Sequence, residues 1–385
     1  MLPLFMSLWL AKDFLSQLYL IGLFYVTFKI LDQSYFLESE ISIFVLVSNI
    51  LVLFVTLLVR VIKINKFGFE RKSDNSSLIA LFLSCAAIYL LVEGMGGYEN
   101  LISSWLIIKG ELENNNLTRL GSMLSYCFSV GFYFHSKFES SKRGGVYGYV
   151  TIFMLFLYAI AIKVKLFIIP VVFAFFYPRN NMSLNFFKLL KIILSAVILY
   201  LIVMMVRWSG DLEGISFSQL IETLSSVGDA GVEKELLNQS SSVFQYYQNH
   251  DANLGQSIRR ILELPFYTLG IVNHIPENPM YEYYAISNGG VYVDGGSAHP
   301  GIYADSYAEW KWLGVIFPGL YLALIRWVGA TYTNKIQQSL AMIFVFISVV
   351  LLIRGSTYYG YLYALPVLII SLTHKFYKYV VVHTK

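Results

Sequence analysis

The sequence predicts an all-α polytopic membrane protein, and three observations support that prediction. Hydrophobic residues make up 57% of the chain and charged residues only 14%, whereas a soluble domain carries roughly 25% charged residues. The mean hydropathy is +0.61. Several apolar runs reach the roughly 17–25 residues that a helix needs to cross the hydrocarbon core of a bilayer.

About ten segments are predicted to span the membrane. In chain order they are 5–31, 41–62, 77–93, 119–136, 146–161, 165–177, 190–206, 312–330, 338–353 and 358–374. The first span contains a polar notch at Lys12 and Asp13, and no cleavable signal peptide is evident. The pair 146–161 and 165–177 is also compatible with one broken helix. Cys85 and Cys127 fall inside predicted spans, where they are expected to be small buried apolar residues.

These spans predict three regions. Residues 1–206 form an N-terminal bundle of seven spans, 207–311 form one large external loop domain, and 312–385 form a C-terminal bundle of three spans with a cytoplasmic tail. Lys and Arg concentrate in the loops 63–72, 137–143 and 179–191 and in the tail, so the positive-inside rule places those loops and both termini in the cytoplasm. In 207–311, acids outnumber Lys and Arg by thirteen to five. The net charge of +4 therefore reflects topology and indicates no nucleic-acid partner.

The external loop is predicted to be mostly helical. Its first half contains two predicted helices, 217–236 and 242–264, the second ending at Pro265. Its second half is rich in Gly, Pro and Asn and is predicted to form loops. Nine tyrosines crowd this region, and they suit either an interfacial aromatic belt or faces for sugar rings. They are Tyr246, Tyr247, Tyr267, Tyr281, Tyr283, Tyr284, Tyr292, Tyr303 and Tyr307.

Basic residues at external membrane boundaries are unexpected under the positive-inside rule, which makes them candidate ligands for an anion. Guanidinium groups bind phosphate bidentately and stay charged. The alternative is that these side chains extend along the membrane surface and pair with the neighbouring acids. The candidate pyrophosphate-binding residues are Lys165, Arg207, Arg259, Arg260 and Arg354.

The candidate catalytic residues are His299 and Glu309. A helix that begins after Pro300 would place Asp305 and Glu309 on one face, four residues apart. His299 is then a candidate general base, because imidazole titrates near neutral pH; the alternative is an ordinary surface histidine. Glu309 would need burial beside the following span to serve instead. The chain contains no zinc-type spacing, phosphate loop or serine-hydrolase motif, so no metal or cofactor is predicted.

Taken together, several motifs resemble the Wzy-type oligosaccharide repeat-unit polymerases that build O-antigen and capsule. These motifs include the opening Pro-Leu-Phe, a basic residue at a mid-chain bend, and Arg207 at the end of the span before one large external loop. They also include His-Pro-Gly-Ile-Tyr-Ala-Asp-Ser-Tyr-Ala-Glu-Trp at 299–310 and an external Arg354-Gly355. The layout of spans resembles that family over the whole chain.

The resemblance implies a glycosyltransferase C-type membrane fold at the bacterial inner membrane, with the active site facing the periplasm. It implies an undecaprenyl-pyrophosphate-linked glycan as donor and a lipid-linked repeat unit as acceptor. The catalytic and anion-binding roles of the residues named above carry over by motif position, less securely at Arg259 and Arg260. A chain-length regulator and a flippase are the implied protein partners. An O-antigen ligase, a repeat-unit transporter and a structural membrane scaffold remain as alternatives.

Ten spans make a specific topological prediction. Reporters fused after Lys72 and after Lys385 should be active on the cytoplasmic side, and a reporter inserted within 220–290 should be active on the outer side. Paired alkaline phosphatase and fluorescent-protein fusions measure this. An external C-terminus would contradict the ten-span topology, since it requires an odd number of spans.

Overall fold

The chain is all-helical over the residues that the computed structural model describes. These are 1–11, 13–32, 39–62, 75–102, 115–139, 145–162, 168–177, 232–268, 271–274, 277–290, 298–331, 335–354 and the single positions 360, 363 and 367. No β-strand occurs among them. The predicted all-α class is therefore confirmed for this part of the chain.

The helices are named here in chain order. The N-terminal half contains α1 Leu2–Leu10, α2 Phe14–Asp32, α3 Ser39–Val59, α4 Ser76–Gly94, α5 Asn116–Met123, α6 Val130–Glu139, α7 Gly145–Ala161 and α8 Ile168–Phe176. The C-terminal half contains α9 Val232–Asn249, α10 Gln256–Thr268, α11 Pro279–Ser287, α12 Gly301–Trp310, α13 Phe317–Thr331 and α14 Lys335–Arg354. A π-helical segment, Leu124–Ser129, joins α5 to α6, and a 3-10 segment, Lys311–Ile316, joins α12 to α13.

Four helical stretches in the described residues are long and apolar enough to cross a membrane. They are Glu40–Val59, Ser76–Gly94, Gly301–Trp327 and Ile336–Ile353. Three of them coincide with the predicted spans 41–62, 77–93 and 338–353. The fourth contains most of the predicted span 312–330 but begins at Gly301. Within it, α12 ends at Trp310, the next residue Lys311 has φ +52, and the 3-10 segment Lys311–Ile316 precedes α13. The total of ten spans stays a prediction.

The predicted first span, 5–31, is wrong as a single helix. The chain instead forms α1 and α2, which contact each other and are interrupted at 11–13. Asp13 accounts for the break, since its carboxylate accepts a hydrogen bond from the backbone N–H of Ser16 at 2.9 Å and so caps the start of α2. With nine residues, α1 is only about 14 Å long and cannot cross a hydrocarbon core of about 30 Å.

The remaining predicted spans have mixed outcomes. The span 119–136 corresponds to the run from α5 through the π-helical segment to α6, and 146–161 corresponds to α7. The span 165–177 overlaps α8, which is a separate helix from α7 and contacts it. The span 190–206 and nearly all of 358–374 lie outside the described residues.

The chain divides into two compact units. The first comprises Met1–Asn65, Ala230–Tyr332 and Val345–Lys385, and the second comprises Lys66–Asp229 and Thr333–Phe344. In the second unit, α4 packs against α5, α6 and α7. The ammonium of Lys137, on α6, donates to the carbonyls of Ala174, Phe175 and Tyr177 and so satisfies the C-terminal end of α8.

The two cysteines lie in the second unit, one on α4 and one in the π-helical segment. Cys127 is buried as expected, whereas Cys85 is exposed, so the predicted burial is wrong for Cys85. Exposure of a small thiol on an apolar helix is compatible with a lipid-facing position.

In the first unit, Arg326 joins three helices at one end. Its guanidinium pairs with the carboxylate of Asp13 at 2.6 Å and donates to the carbonyl oxygens of Val59 and Ile62 at 3.4 and 3.1 Å. Both charged side chains are largely buried. The interaction supplies donors to the C-terminal end of α3, where a cation also complements the helix dipole.

Replacing Arg326 should therefore destabilise the first unit. We expect Arg326→Ala to cost about 2–3 kcal/mol, because removing one partner of a largely buried ion pair leaves Asp13 uncompensated. The exposed Arg60, at the end of α3, is the matched control, and Arg60→Ala should change stability by less than about 0.5 kcal/mol.

Thermal unfolding of both variants in the same detergent measures the effect. Because Asp13 and Arg326 interact directly, the double variant Asp13→Ala/Arg326→Ala should lose less than the sum of the two single changes. Equal melting temperatures for Arg326→Ala and Arg60→Ala would contradict this account.

Candidate functional site

The candidate site is built around α12, which is buried on every side. All residues from Gly301 to Glu309 are buried. Gly301 has φ +83, a conformation that favours glycine, and it lets the chain turn sharply from the preceding segment into the helix. A side chain there would also meet the hydroxyl of Ser240 and the side chain of Val26. The helix predicted after Pro300 is confirmed.

Asp305 and Glu309 lie one turn apart on α12, as predicted, and both are fully buried. The hydroxyl of Tyr283, on α11, donates to Asp305 Oδ1 at 2.9 Å. The backbone N–H of Ser257 donates to Glu309 Oε1 at 3.3 Å. Ser257 is the second residue of α10, so Glu309 satisfies one of the N–H groups that a helix N-terminus leaves without an intrahelical partner.

His299 precedes α12 on a backbone that is fixed by several hydrogen bonds. Its N–H donates to Gln239 Oε1 at 2.9 Å, and the hydroxyl of Ser240 donates to the carbonyl oxygen of Pro300. The N–H of Ala298 donates to the carbonyl oxygen of Met280 at 3.0 Å. The side chain of His299 is half-buried between two buried neighbours. A fixed backbone thus holds an imidazole that remains accessible.

His299 and Glu309 lie at opposite ends of α12. Eight helical steps from Gly301 to Glu309 correspond to about 12 Å along the axis. A direct arrangement in which Glu309 orients the imidazole is therefore ruled out by the helix geometry. His299 and Glu309 remain alternative candidate bases, each acting alone.

Aromatic and polar contacts hold α12 against the neighbouring helices. Tyr307 packs against Phe44 of α3 at 5.3 Å between ring centroids and against Phe244 of α9 at 5.1 Å. The hydroxyl of Tyr303 donates to Asn49 Oδ1 at 2.7 Å and lies 2.8 Å from the hydroxyl of Thr27. These contacts fix α12 to helices from both the N-terminal and the external parts of the chain.

A second polar cluster links α9, α11 and the segment between α9 and α10. The hydroxyl of Tyr247 donates to Glu282 Oε1 at 2.6 Å, and the side-chain amide of Asn253 donates to Glu282 Oε2 at 2.7 Å. Burial and then the adjacent carboxylate of Glu282 raise the pKa of Tyr247 well above its ordinary value. Burial and then the charge of Asp305 raise the pKa of Tyr283 in the same way. Both phenols are therefore neutral donors at physiological pH.

The predicted role of the external tyrosines is only partly compatible with the structure. Tyr247, Tyr283, Tyr303 and Tyr307 are core residues, so neither a membrane-surface belt nor a sugar-stacking face describes them. Tyr246 is exposed and stacks on His250 at 3.8 Å between centroids. Tyr281 and Tyr284 are half-buried, and the side chains of Tyr267 and Tyr292 lie outside the described part.

The structure describes the side chains of only two of the five predicted anion ligands, Arg259 and Arg260. Arg259 is exposed on α10 and pairs with Glu263 at 2.7 Å, one turn away. Arg260 is half-buried on the same helix. Arg354 is the last residue of α14, but its side chain lies outside the described part. Lys165 and Arg207 lie outside it as well. Their convergence on one cavity stays a prediction.

Three details of the predicted external loop are wrong, and one of them is the end predicted at Pro265, since α10 continues to Thr268. The helix predicted over 242–264 is two helices, α9 and α10, because the segment 250–255 bonds to α12 through Asn253 N–H and the carbonyl of Ala308 at 3.0 Å. The second half was predicted to lack helices, yet it contains α11. Asn278 caps that helix and Pro279 begins it, a start signal that the sequence does contain.

No protein-family model, curated protein or solved structure matches the chain. The structure alone therefore indicates the class of protein. Its described residues are all-helical and include helices of membrane-spanning length, which is compatible with a membrane protein. Within the described ranges, no group of three His, Cys, Asp or Glu side chains is placed to hold a metal ion.

Proposed function

We propose that this protein polymerises undecaprenyl-pyrophosphate-linked oligosaccharide repeat units into O-antigen or capsular polysaccharide. The reaction takes place on the outer face of the bacterial inner membrane. The observation that supports this proposal most directly is the segment 298–310. It presents an accessible histidine on a fixed backbone and continues into a buried helix with two carboxyl groups. That helix forms the first part of the apolar stretch Gly301–Trp327, which is of spanning length.

The proposed reaction is glycosyl transfer from a lipid pyrophosphate. A sugar hydroxyl of the acceptor attacks the anomeric carbon of the donor glycan and forms the new glycosidic bond. The bond from that carbon to the pyrophosphate oxygen breaks, and undecaprenyl pyrophosphate leaves with the electron pair. The hydroxyl proton passes to a general base, for which His299 is the first choice and Glu309 the alternative.

His299 is preferred because its accessibility suits a group that must meet a substrate. Glu309 already has a structural partner in the N-terminus of α10, and it is fully buried. A base must come within hydrogen-bonding distance of the proton that it removes. The half-buried imidazole is proposed to meet that condition when substrate is bound.

The basic residues are proposed to stabilise the leaving group. Negative charge grows on the pyrophosphate as the glycosidic bond to it breaks, so fixed cations lower the energy of the transition state more than that of the bound donor. Arg207, Arg354 and Lys165 are proposed to hold the pyrophosphate. Arg259 and Arg260 lie on the helix that Glu309 caps and are proposed to assist near the membrane surface.

A deletion strain tests the proposed function. Loss of a repeat-unit polymerase should leave a single repeat unit attached to the lipopolysaccharide core, or no polymeric capsule, on an electrophoretic gel. Loss of a ligase or a flippase should leave no repeat unit on the core. An unchanged ladder of polymer lengths would contradict the proposal.

The role of His299 can be tested with a matched histidine. We expect His299→Ala to reduce polymerisation by at least about 100-fold, the lower end of what a positioned general base contributes. His274, which is exposed in the same external region, is the control, and His274→Ala should behave like the wild type. The polymer ladder is measured at equal protein levels in the membrane.

Glu309→Gln separates the two candidate bases. Glutamine keeps an oxygen that can accept from the N–H of Ser257, so α10 should remain in place. Because the helix geometry rules out a direct contact with His299, a loss as large as that of His299→Ala would assign the base to Glu309. Wild-type-like polymer from His299→Ala would remove the histidine from the mechanism.

The anion-binding role predicts sensitivity to the shape of the cation. Arg207→Lys and Arg354→Lys should each impair polymerisation several-fold, because a point charge replaces a fork that binds two phosphate oxygens. Arg60→Lys, at the exposed end of α3, serves as the control. Full activity of both lysine variants would contradict a bidentate pyrophosphate site.

A further inference from the structure

Helix α10 has a buried face and an exposed face that carries large apolar residues. Ser257 and Ile261 are buried against the rest of the first unit. On the other face, Leu262 and Phe266 are 52% and 49% exposed. They lie four residues apart and therefore side by side along the helix. A surface helix of a water-soluble domain normally presents charged and polar residues on its outer face. The outer face of α10 therefore suits an apolar environment.

The start of α10 is attached to the end of α12. Asn253 N–H bonds to the carbonyl of Ala308, Ser257 N–H bonds to Glu309, and Gly255 packs closely against the indole of Trp310. Residues 308–310 belong to the apolar stretch Gly301–Trp327. Helix α10 therefore begins beside a stretch that is suited to span the membrane.

Exposed apolar residues also occur beside both ends of α10 and after α12. Trp312, Leu313 and Ile316 directly follow α12 and are exposed, as expected of lipid-facing residues in a span. Leu254 is exposed just before α10, and Ile271 is exposed just after it. Exposed apolar side chains therefore lie on α10, on the residues that flank it and on the residues that follow α12.

The length and charge of α10 agree with a position along the membrane surface. Thirteen residues correspond to about 20 Å, which is too short to cross a hydrocarbon core of about 30 Å. Arg259 precedes Leu262 by three residues, and its side chain is 69% exposed although it pairs with Glu263 at 2.7 Å. An arginine next to an apolar stripe can bury its methylene stem, and the guanidinium nitrogens that do not contact Glu263 can reach the lipid phosphates.

We infer that α10 is an interfacial helix that inserts Leu262 and Phe266 into the acyl region of the bilayer and holds Arg259 at the headgroups. The bilayer is its partner, and the inference does not depend on the proposed polymerase activity. It assigns α10 a second role besides the attachment of its first turn to the end of α12. The helix fixes the level at which the external region meets the lipid surface.

Site-directed fluorescence in nanodiscs tests this inference. Single cysteines at Leu262→Cys and Phe266→Cys, in a Cys85→Ser/Cys127→Ala background, are labelled with an environment-sensitive probe. Leu313→Cys is the lipid-facing control. Asn249→Cys, on the exposed polar end of α9, is the water-facing control. Quenching is measured with doxyl-labelled phospholipid in the bilayer and with iodide in the buffer.

We expect doxyl lipid to quench the probes at 262 and 266 as strongly as the probe at 313, and several-fold more than the probe at 249. Iodide should give the opposite order. Strong iodide quenching at 262 and 266 would show that the face lies in water, and protection from both quenchers would show a protein partner. Either result would overturn the inference. Leu254→Cys provides a second position if one of the labelled variants fails to fold.

Discussion

The complete burial of α12 is the constraint on which the first unit depends. A helix with no exposed side from Gly301 to Glu309 must be contacted in every direction. Because it carries two carboxyl groups, those contacts must include donors, since an uncompensated buried charge is expensive. The sequence meets this demand with Tyr283 from α11 and the N-terminus of α10. The positions of α9, α10 and α11 therefore follow from the polar requirements of α12 as well as from apolar packing.

The same constraint connects the external region to the N-terminal helices. Tyr303 extends from α12 to Thr27 and Asn49, which lie on α2 and α3, and Phe44 of α3 packs on Tyr307. Polar contacts of this kind gain strength away from water, and they fix one arrangement because an unmade bond would leave buried groups without partners. Because His299 directly precedes Pro300 and α12, its backbone is fixed along with that helix. A catalytic group benefits from such support, since small errors in position reduce its effect.

The length of the apolar runs predicted the long helices. Contacts between residues far apart in the sequence determine a helix break and an ion pair that the sequence did not predict. The spanning-length helices α3, α4 and α14 and the shorter apolar helix α7 follow from uninterrupted apolar runs, and Pro300 marks the start of α12. The break between α9 and α10 was not predictable from local sequence, because it depends on a backbone bond to Ala308. The ion pair of Asp13 with Arg326 joins residues 313 positions apart. The cap at Asn278, by contrast, is a local signal. Asn278 followed by Pro279 is a typical helix start and predicts α11.

The geometry of α12 also separates the two residues that the sequence offered as alternative bases. Glu309 lies in the last turn, where the helix dipole disfavours negative charge, and its contact with the N-terminus of α10 offsets that cost. That carboxyl group thus joins two helix ends of opposite polarity through Oε1, while its Oε2 is buried without a hydrogen-bond partner among the described residues. The bonds that fix the backbone at His299 use main-chain atoms of residues 298–300. An accessible side chain on a fixed main chain is the more suitable group to meet a substrate, and this favours the histidine as the base.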